Sequence, residues 1–451
     1  MNDTPTPATA GGAPAFSPAL SPEEGVAAAT SLFRETLGGE PDGVWYAPGR
    51  VNIIGEHTDY NGGLALPIAL PHRAHLALRR RADRTIRLVS SQTRESIDVL
   101  DLDTIGPKGA PGEVRNWNAY IAGVAWALER DGASPLSGFD AALYSCVPLG
   151  GGLSSSAALE SATAVALDEV NGLGLAGTAD APDDAGRARL VTACVRAENE
   201  VAGAPTGGMD QSASLRCRAG HALRLDCRTG AVEQVPFDLS AAGLALLVID
   251  TKAEHSLVDG QYGARRAACE KAARMLGVEL LADIAPDDLE THLSRLAEPA
   301  GSAGSAGSAE PAEPADCSGA DADELVKRTR HVVTEIDRTR RLVALLRDSR
   351  PLAGPKLEEV GALMNASHDS LRDDYECSCP ELDMAVAAAR KAGAHGARMT
   401  GGGFGGSAIA LVDADSADAV ARAVVVAYAE ADFTAPAFLN AIPSAPAGRL
   451  S

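Results

Sequence analysis

The spacing of apolar residues along this chain switches between a period of two and a helical period, and the switches mark its elements. In "GRVNII", Arg50 and Asn52 share one face of an extended segment while Val51 and Ile53 share the other, so a short strand ends near Ile54. Further strands are predicted at "HLALRRR" from His75, "TIRLVSS" from Thr85, "FDAALYSCV" from Phe139, "HALRLDC" from His221, "LALLVID" from Leu244 and "SAIALV" from Ser407. Helical spacing runs through "NWNAYIAGVAWALER" from Asn116 and "SSAALESATAVALDEV" from Ser155. In the second, Leu159, Ala162, Ala166 and Val170 lie near one face and Asn171-Gly172 supply the stop. Strands and helices mix without the regular alternation of a doubly wound sheet, so the expected class is α+β.

Two stretches lack any pattern that could bury a core: the Pro/Ala/Thr-rich tail, residues 1–21, and "EPAGSAGSAGSAEPAEPADCSGADADE" from Glu298 to Glu324. The second lies between helical patterns and is expected to be a disordered surface insertion. Loop length costs little, about 0.6 kcal/mol per doubling, so its deletion should leave function intact. With 451 residues the chain exceeds one domain of ordinary size. The expected division is an N-terminal domain over 22–240 and a C-terminal domain over 241–451 that carries the insertion.

Composition narrows the partners. Forty Lys and Arg against 61 Asp and Glu leave a net charge of −21, which repels nucleic acid and anionic lipid. Any phosphate site must therefore be built locally, from backbone N–H groups, a helix end or a metal. The eight cysteines are scattered without a C-x-x-C pair, and no run reaches the ~18 apolar residues of a membrane span. A cytoplasmic protein with reduced, buried thiols is expected, one that engages neither nucleic acid nor membrane.

Four polar or glycine-rich stretches carry candidate chemistry. "GRVNIIGEHTDYNGG" places Glu56, His57, Asp59 and Tyr60 on a loop at a strand end, beside Arg50; a solvated turn would explain its glycines but not its mixed charges. "PLGGGLSSSAALE", from Pro148, opens a helix with glycines and serines. Free N–H groups and the positive end of the helix dipole favour an anion there, and a nucleotide triphosphate fits. The loop has no lysine and no G-K-[ST], so it is not a Walker loop. "MTGGGFGGSAIALV", from Met399, holds five glycines in six positions, more than a plain turn needs, and close packing against a backbone or a phosphate is expected. In "RAENEVAGAPTGGMDQSAS", from Arg196, Asp210 follows Gly207-Gly208-Met209, a setting common to turn aspartates.

In order and spacing these motifs resemble those of the galactokinases, members of the GHMP kinase superfamily. The likeness runs from about Trp45 to Leu411 and includes "NWNAY", "GGMDQ", "DGQYGARRAACE", "RHVVTEIDRT" and "CPELD". It implies a ribosomal protein S5 domain 2-like N-terminal domain, a ferredoxin-like C-terminal domain and an active site between them. It further implies transfer of the γ-phosphoryl group of ATP to the C1 hydroxyl of galactose, with Mg²⁺ as cofactor, by a monomer or weak homodimer. By motif position, Arg50, Glu56, His57, Asp59, Gly207, Asp210 and Tyr262 would line the galactose pocket, with Asp210 as base and Arg50 keeping it ionised. Gly150, Gly151, Gly152, Leu153, Ser154, Ser155, Ser156 and Ala157 would hold the phosphates, Trp117 and Tyr120 the adenine, and Ser156 with Glu198 the metal. One alternative is the same fold acting on a related sugar, such as N-acetylgalactosamine or an arabinose-like aldose, although the intact "GEHTDYNGG" favours galactose. Another is a galactokinase-like, non-catalytic galactose sensor; such proteins lose residues from the serine loop, and "GLSSSAALE" is whole here.

Overall fold

The computed structural model describes residues 12–94, 96–133, 135–178, 181–253, 258–297, 319–348 and 351–451. Among them fourteen strands, numbered in chain order, form three sheets. The largest has the order β14 (Gly448–Arg449), β2 (Gly43–Asn52), β4 (Pro67–Arg80), β7 (Phe139–Ser145), β5 (Thr85–Ser90) and β6 (Asp98–Asp101). The second has the order β1 (Ala15–Phe16), β13 (Ala437–Ala441), β10 (Leu244–Asp250), β12 (Ser407–Asp413) and β11 (Gly396–Thr400). A small third sheet joins β3 (Leu64–Ala65), β8 (His221–Asp226) and β9 (Val232–Pro236).

The second sheet is covered on both sides, which is why "LALLVID" is apolar almost throughout. Leu244, Leu246 and Val248 of β10 pack into a core shared with the six-stranded sheet, whereas Leu247 and Ile249 point into the core formed with the C-terminal helices. Strand β12 divides likewise, Ile409 and Leu411 on one side and Ala408, Ala410 and Val412 on the other. The helix Ser155–Val170 departs from the expected single apolar face: every residue from Ala157 to Asp168 is buried. Its alanines let it lie close against β2 and β4 and under the neighbouring helices Asn118–Arg130 and Asp184–Arg196.

Strand β4 begins at Pro67, earlier than the expected start at His75, and runs through Pro71. The β2–β4 register explains how it can. Pro48 pairs with Arg73 and Arg50 with Ala69, so one residue of β2 opposes three of β4, and Pro71, which has no N–H to give the ladder, falls in that irregularity. On the other strand sits Gly49, where a Cβ would lie 2.6 Å from the Leu153 carbonyl oxygen. The kink thus brings Arg50 against the glycine-serine loop, and the Arg50 amide donates to the Leu153 carbonyl at 3.1 Å.

Three expectations about chain organisation need correction. Part of the stretch read as a disordered tail is ordered: Ala15 and Phe16 pair in parallel with Ala437 and Phe438, the Ser17 carbonyl lies 2.9 Å from His72 Nε2, and Ser21 caps the helix Pro22–Thr36 with a capping box to Glu24, while residues 1–11 lie outside the described residues. A two-residue strand whose partner is remote in sequence has no local period to betray it. The helix Gly319–Arg347 begins inside the stretch read as the insertion, because its first turn is too rich in Ala, Asp and Gly to show an apolar face; residues 298–318 lie outside the described residues. The two halves also exchange termini, since β1 joins the C-terminal sheet and β14 joins the N-terminal one. The seven described cysteines are free, four of them buried.

Candidate active site

Asp210 lies in the first turn of the helix Met209–Arg216, entered through Gly208 at φ 88°. Arg50 grips it with two parallel hydrogen bonds, Nε to Oδ1 and Nη2 to Oδ2, both 2.8 Å. The third arm of the guanidinium, Nη1, donates to the Gly152 carbonyl at 2.6 Å. Ser154 Oγ donates to Asp210 Oδ2 at 2.5 Å. Ser154 is left-handed, φ 59° and ψ 51°, and although it heads the helix Ser155–Val170 its side chain makes no capping bond. Strain of about 1–3 kcal/mol and a forgone cap are tolerated where the hydroxyl serves the carboxylate. One aspartate is thereby tied to both the arginine strand and the glycine-serine loop.

The same aspartate faces a cleft lined by Arg50, Glu56, His57, Asp59, Thr206, Gly207, Gly208, Met209, Asp210, Tyr262, Gly401 and Gly402. All seven residues placed on the sugar side by motif position are among them. With its open mouth included, the cleft encloses about 470 Å³ not filled by protein atoms. Gly207 keeps it open, since a Cβ there would stand 2.2 Å from Asp59 Oδ2. Burial, and next the charge of Asp210, raise the Asp59 carboxyl to about 6. His57, at φ 60°, is held at Nδ1 by the Tyr60 hydroxyl, 2.7 Å away, and that hydroxyl meets the Tyr375 hydroxyl at 2.7 Å. Burial lowers the His57 imidazole to about 3, so the ring is neutral at pH 7.

The run from Gly401 to Gly406 packs against the glycine-serine loop and a neighbouring turn. A Cβ on Gly401 would come within 3.0 Å of the Gly152 carbonyl oxygen, one on Gly406 within 3.3 Å of the Gly151 carbonyl oxygen, and one on Gly403 within 2.2 Å of the Cys377 carbonyl oxygen. Ser407 Oγ donates to the Gly151 carbonyl at 2.6 Å. These contacts account for glycines that a turn alone would not require.

Glu198 sits on a single π-helical turn, Ala197–Ala202, that ends the helix Asp184–Arg196. Such turns are rare and often sit at functional sites. Gln211 Nε2 donates to its Oε2 at 2.5 Å and Thr206 Oγ1 at 3.0 Å, with the Ser156 hydroxyl beside it. Burial, and next the Asp210 charge, push its carboxyl up to about 7.

Comparison with known proteins agrees with this geometry. A galactokinase galactose-binding signature matches residues 31–80, a GHMP kinases N terminal domain residues 119–218, and a GHMP kinases C terminal model residues 343–430. The galactokinase of Streptomyces coelicolor is 48% identical over 418 residues, 93% of this chain and 97% of that one. Human galactokinase is 40% identical over 89% of this chain and 92% of its own.

This chain belongs to the galactokinases.

Its fold is that of a solved galactokinase from Lactococcus lactis complexed with galactose, with a TM-score of 0.79 and 30% identity over 93% of this chain and 98% of that one. A crystal structure of mevalonate kinase, 14% identical with a TM-score of 0.55, shares the fold alone. Within this galactokinase the two aromatics assigned to adenine stand apart from the sugar cleft. Trp117 and Tyr120 lie at the start of the helix Asn118–Arg130, both half-buried, and Trp117 packs against the main core. Sequence reasoning missed Thr206, Gly208, Met209, Gly401 and Gly402 as cleft residues, although all five lie inside stretches it had singled out. Arg398, an arginine within the fully buried strand "GARMT", was not singled out either.

Proposed function

We propose that this galactokinase phosphorylates the C1 hydroxyl of α-D-galactose with ATP, giving galactose 1-phosphate and ADP, and that Asp210 and Arg50 are its catalytic residues. The observation that carries the reading is the position of Asp210, which lines the cleft while its carboxylate accepts from both Arg50 and Ser154. Three donors fill part of the carboxylate and leave it acceptor capacity toward the cleft. A sugar hydroxyl placed there can give up its proton to Asp210 as O1 bonds to the γ-phosphorus and the bond to the bridging β,γ-oxygen breaks. Arg50 holds the aspartate in one orientation through its two parallel hydrogen bonds.

Glu56, His57, Asp59, Gly207 and Tyr262 are the sugar-binding residues. Hydroxyls both donate and accept, and the cleft offers carboxylates, an imidazole and a phenol in a small space. A buried polar group left unpaired costs about 1–3 kcal/mol, so a sugar with its C4 hydroxyl turned the wrong way is disfavoured. The residues Gly150–Ala157 hold the triphosphate through main-chain amides at the start of the helix Ser155–Val170, with Trp117 and Tyr120 toward the adenine.

Ser156 and Glu198 offer a hydroxyl and a carboxylate, the hard oxygen donors that Mg²⁺ prefers. Among the described residues no group of three or more His, Cys, Asp or Glu is placed to hold a metal alone. That suits an ion brought by substrate phosphates and completed by one or two protein ligands. Bound there, Mg²⁺ supplies positive charge to the phosphate oxygens.

ADP release measured over a panel of galactose, glucose, N-acetylgalactosamine and arabinose tests the reading. Saturable turnover with galactose and little with glucose is expected. Preference for another sugar would make this a kinase of different specificity, and binding of both ligands without ADP would make it a sensor.

A further inference from the structure

Arg398 does not line the cleft, yet it is fully buried directly behind one of the cleft's carboxylates. It belongs to β11, in the C-terminal sheet, and its guanidinium reaches across to the loop that follows β2. Nη2 donates to Glu56 Oε2 at 2.8 Å, Nη1 to the Asn52 and Ile53 carbonyls at 3.1 and 3.2 Å, and Nε to Ser367 Oγ at 3.1 Å. Glu335 completes the surroundings: its Oε1, 3.9 Å from Arg398 Nη2, accepts from the Gly55 amide and from Ser367 Oγ, and its Oε2 accepts from Arg338.

The donors on Glu56 are unequally shared. Oε2 is filled by Arg398 and by Asn52 Nδ2 at 2.5 Å. Oε1 takes the Gly401 amide at 2.8 Å, with Thr400 Oγ1 at 3.3 Å. Thr400 Oγ1 also lies 3.1 Å from the Asn52 carbonyl, and its single proton serves one acceptor at a time. Oε1 therefore keeps capacity for a hydroxyl in the cleft, and Oε2 does not.

We propose that Arg398 is a positioning residue for sugar binding: by filling Glu56 Oε2 and clamping the Asn52 and Ile53 carbonyls, it holds Glu56 Oε1 as an acceptor for a galactose hydroxyl. The C-terminal half thus shapes sugar affinity from outside the cleft. Without the guanidinium, Glu56 and Glu335 would be two buried carboxylates without their shared counter-charge, and Glu56 would turn away or take a proton. A lysine would keep the charge but could not span both carbonyls and the carboxylate together.

The proposal rests on the galactose reading, and the test separates the two. Wild-type turnover over the sugar panel decides the reading, and the Arg398 variants decide the proposal. Steady-state kinetics of Arg398→Met should show galactose KM raised by about tenfold or more, with ATP KM and kcat changed far less. Arg398→Lys should show a smaller rise of the same kind. In a Glu56→Gln background, Arg398→Met should add little to the loss already present, because the oxygen it positions is altered. Equal movement of the galactose and ATP constants, or losses that multiply in the double variant, would overturn the proposal. Should Arg398→Met fail to fold, Arg398→Lys decides, and an unchanged galactose KM in it overturns the proposal.

Discussion

Arg50 and Asp210 form a two-bond pair with both bonds at 2.8 Å, and the arginine side chain is almost wholly buried. Their backbones belong to a strand and a helix far apart in sequence. What brings them together is the irregular β2–β4 pairing, which places Arg50 against Leu153 and Gly152.

Replacing Arg50 with lysine keeps a positive charge but loses the fork. An ammonium cannot hold both Asp210 oxygens and the Gly152 carbonyl, so the aspartate should drift on its remaining bond to Ser154. A fall in kcat of about tenfold or more is expected, the equivalent of one charge-assisted hydrogen bond, with both KM values changing less. Steady-state ADP release checks it, and an unaltered kcat would speak against the pairing.

Gly207→Ala should injure galactose binding selectively. The added Cβ would be 2.2 Å from Asp59 Oδ2, too close for any real contact, so Asp59 must leave its place in the cleft. Galactose KM should rise by about tenfold or more if one buried sugar contact is lost, while ATP KM stays near wild type. Equal galactose KM in both proteins would mean that Asp59 does not face the sugar.

The acid limb of the pH profile should report Asp59. Burial and the Asp210 charge raise its carboxyl to about 6, so it is ionised above that pH and gains a proton as pH falls through it. Once protonated, it accepts less well from sugar hydroxyls. At saturating ATP, kcat/KM for galactose should therefore drop below about pH 6, and Asp59→Asn should remove that limb. Persistence of the same limb in the variant would assign it to another group.

How much of this was legible in the chain depends on whether the signal is local. Arg50, Glu56, His57 and Asp59 sit within one strand-and-loop motif, and the period-two alternation around Val51 and Ile53 points to it directly. The glycines from Gly401 to Gly406 announce close packing by number alone, and the structure supplies the backbone they approach. Non-local features left no such trace. Nothing near Ala15 indicates a partner at Ala437, and nothing near Arg449 indicates that it pairs with Trp45. Pro71 argues against a strand until the kink opposite Gly49 is seen. Nothing local marks Arg398, and only the folded chain reveals the Glu56 carboxylate before it.

The central claim is that Asp210 takes the proton of the C1 hydroxyl, and Asp210→Asn tests it most directly. Galactose affinity by calorimetry and single-turnover ADP formation should be measured on the same preparation. The account predicts galactose binding close to wild type with phosphoryl transfer slowed by about a hundredfold or more. Transfer at a tenth of the wild-type rate or faster, with galactose bound, would contradict it.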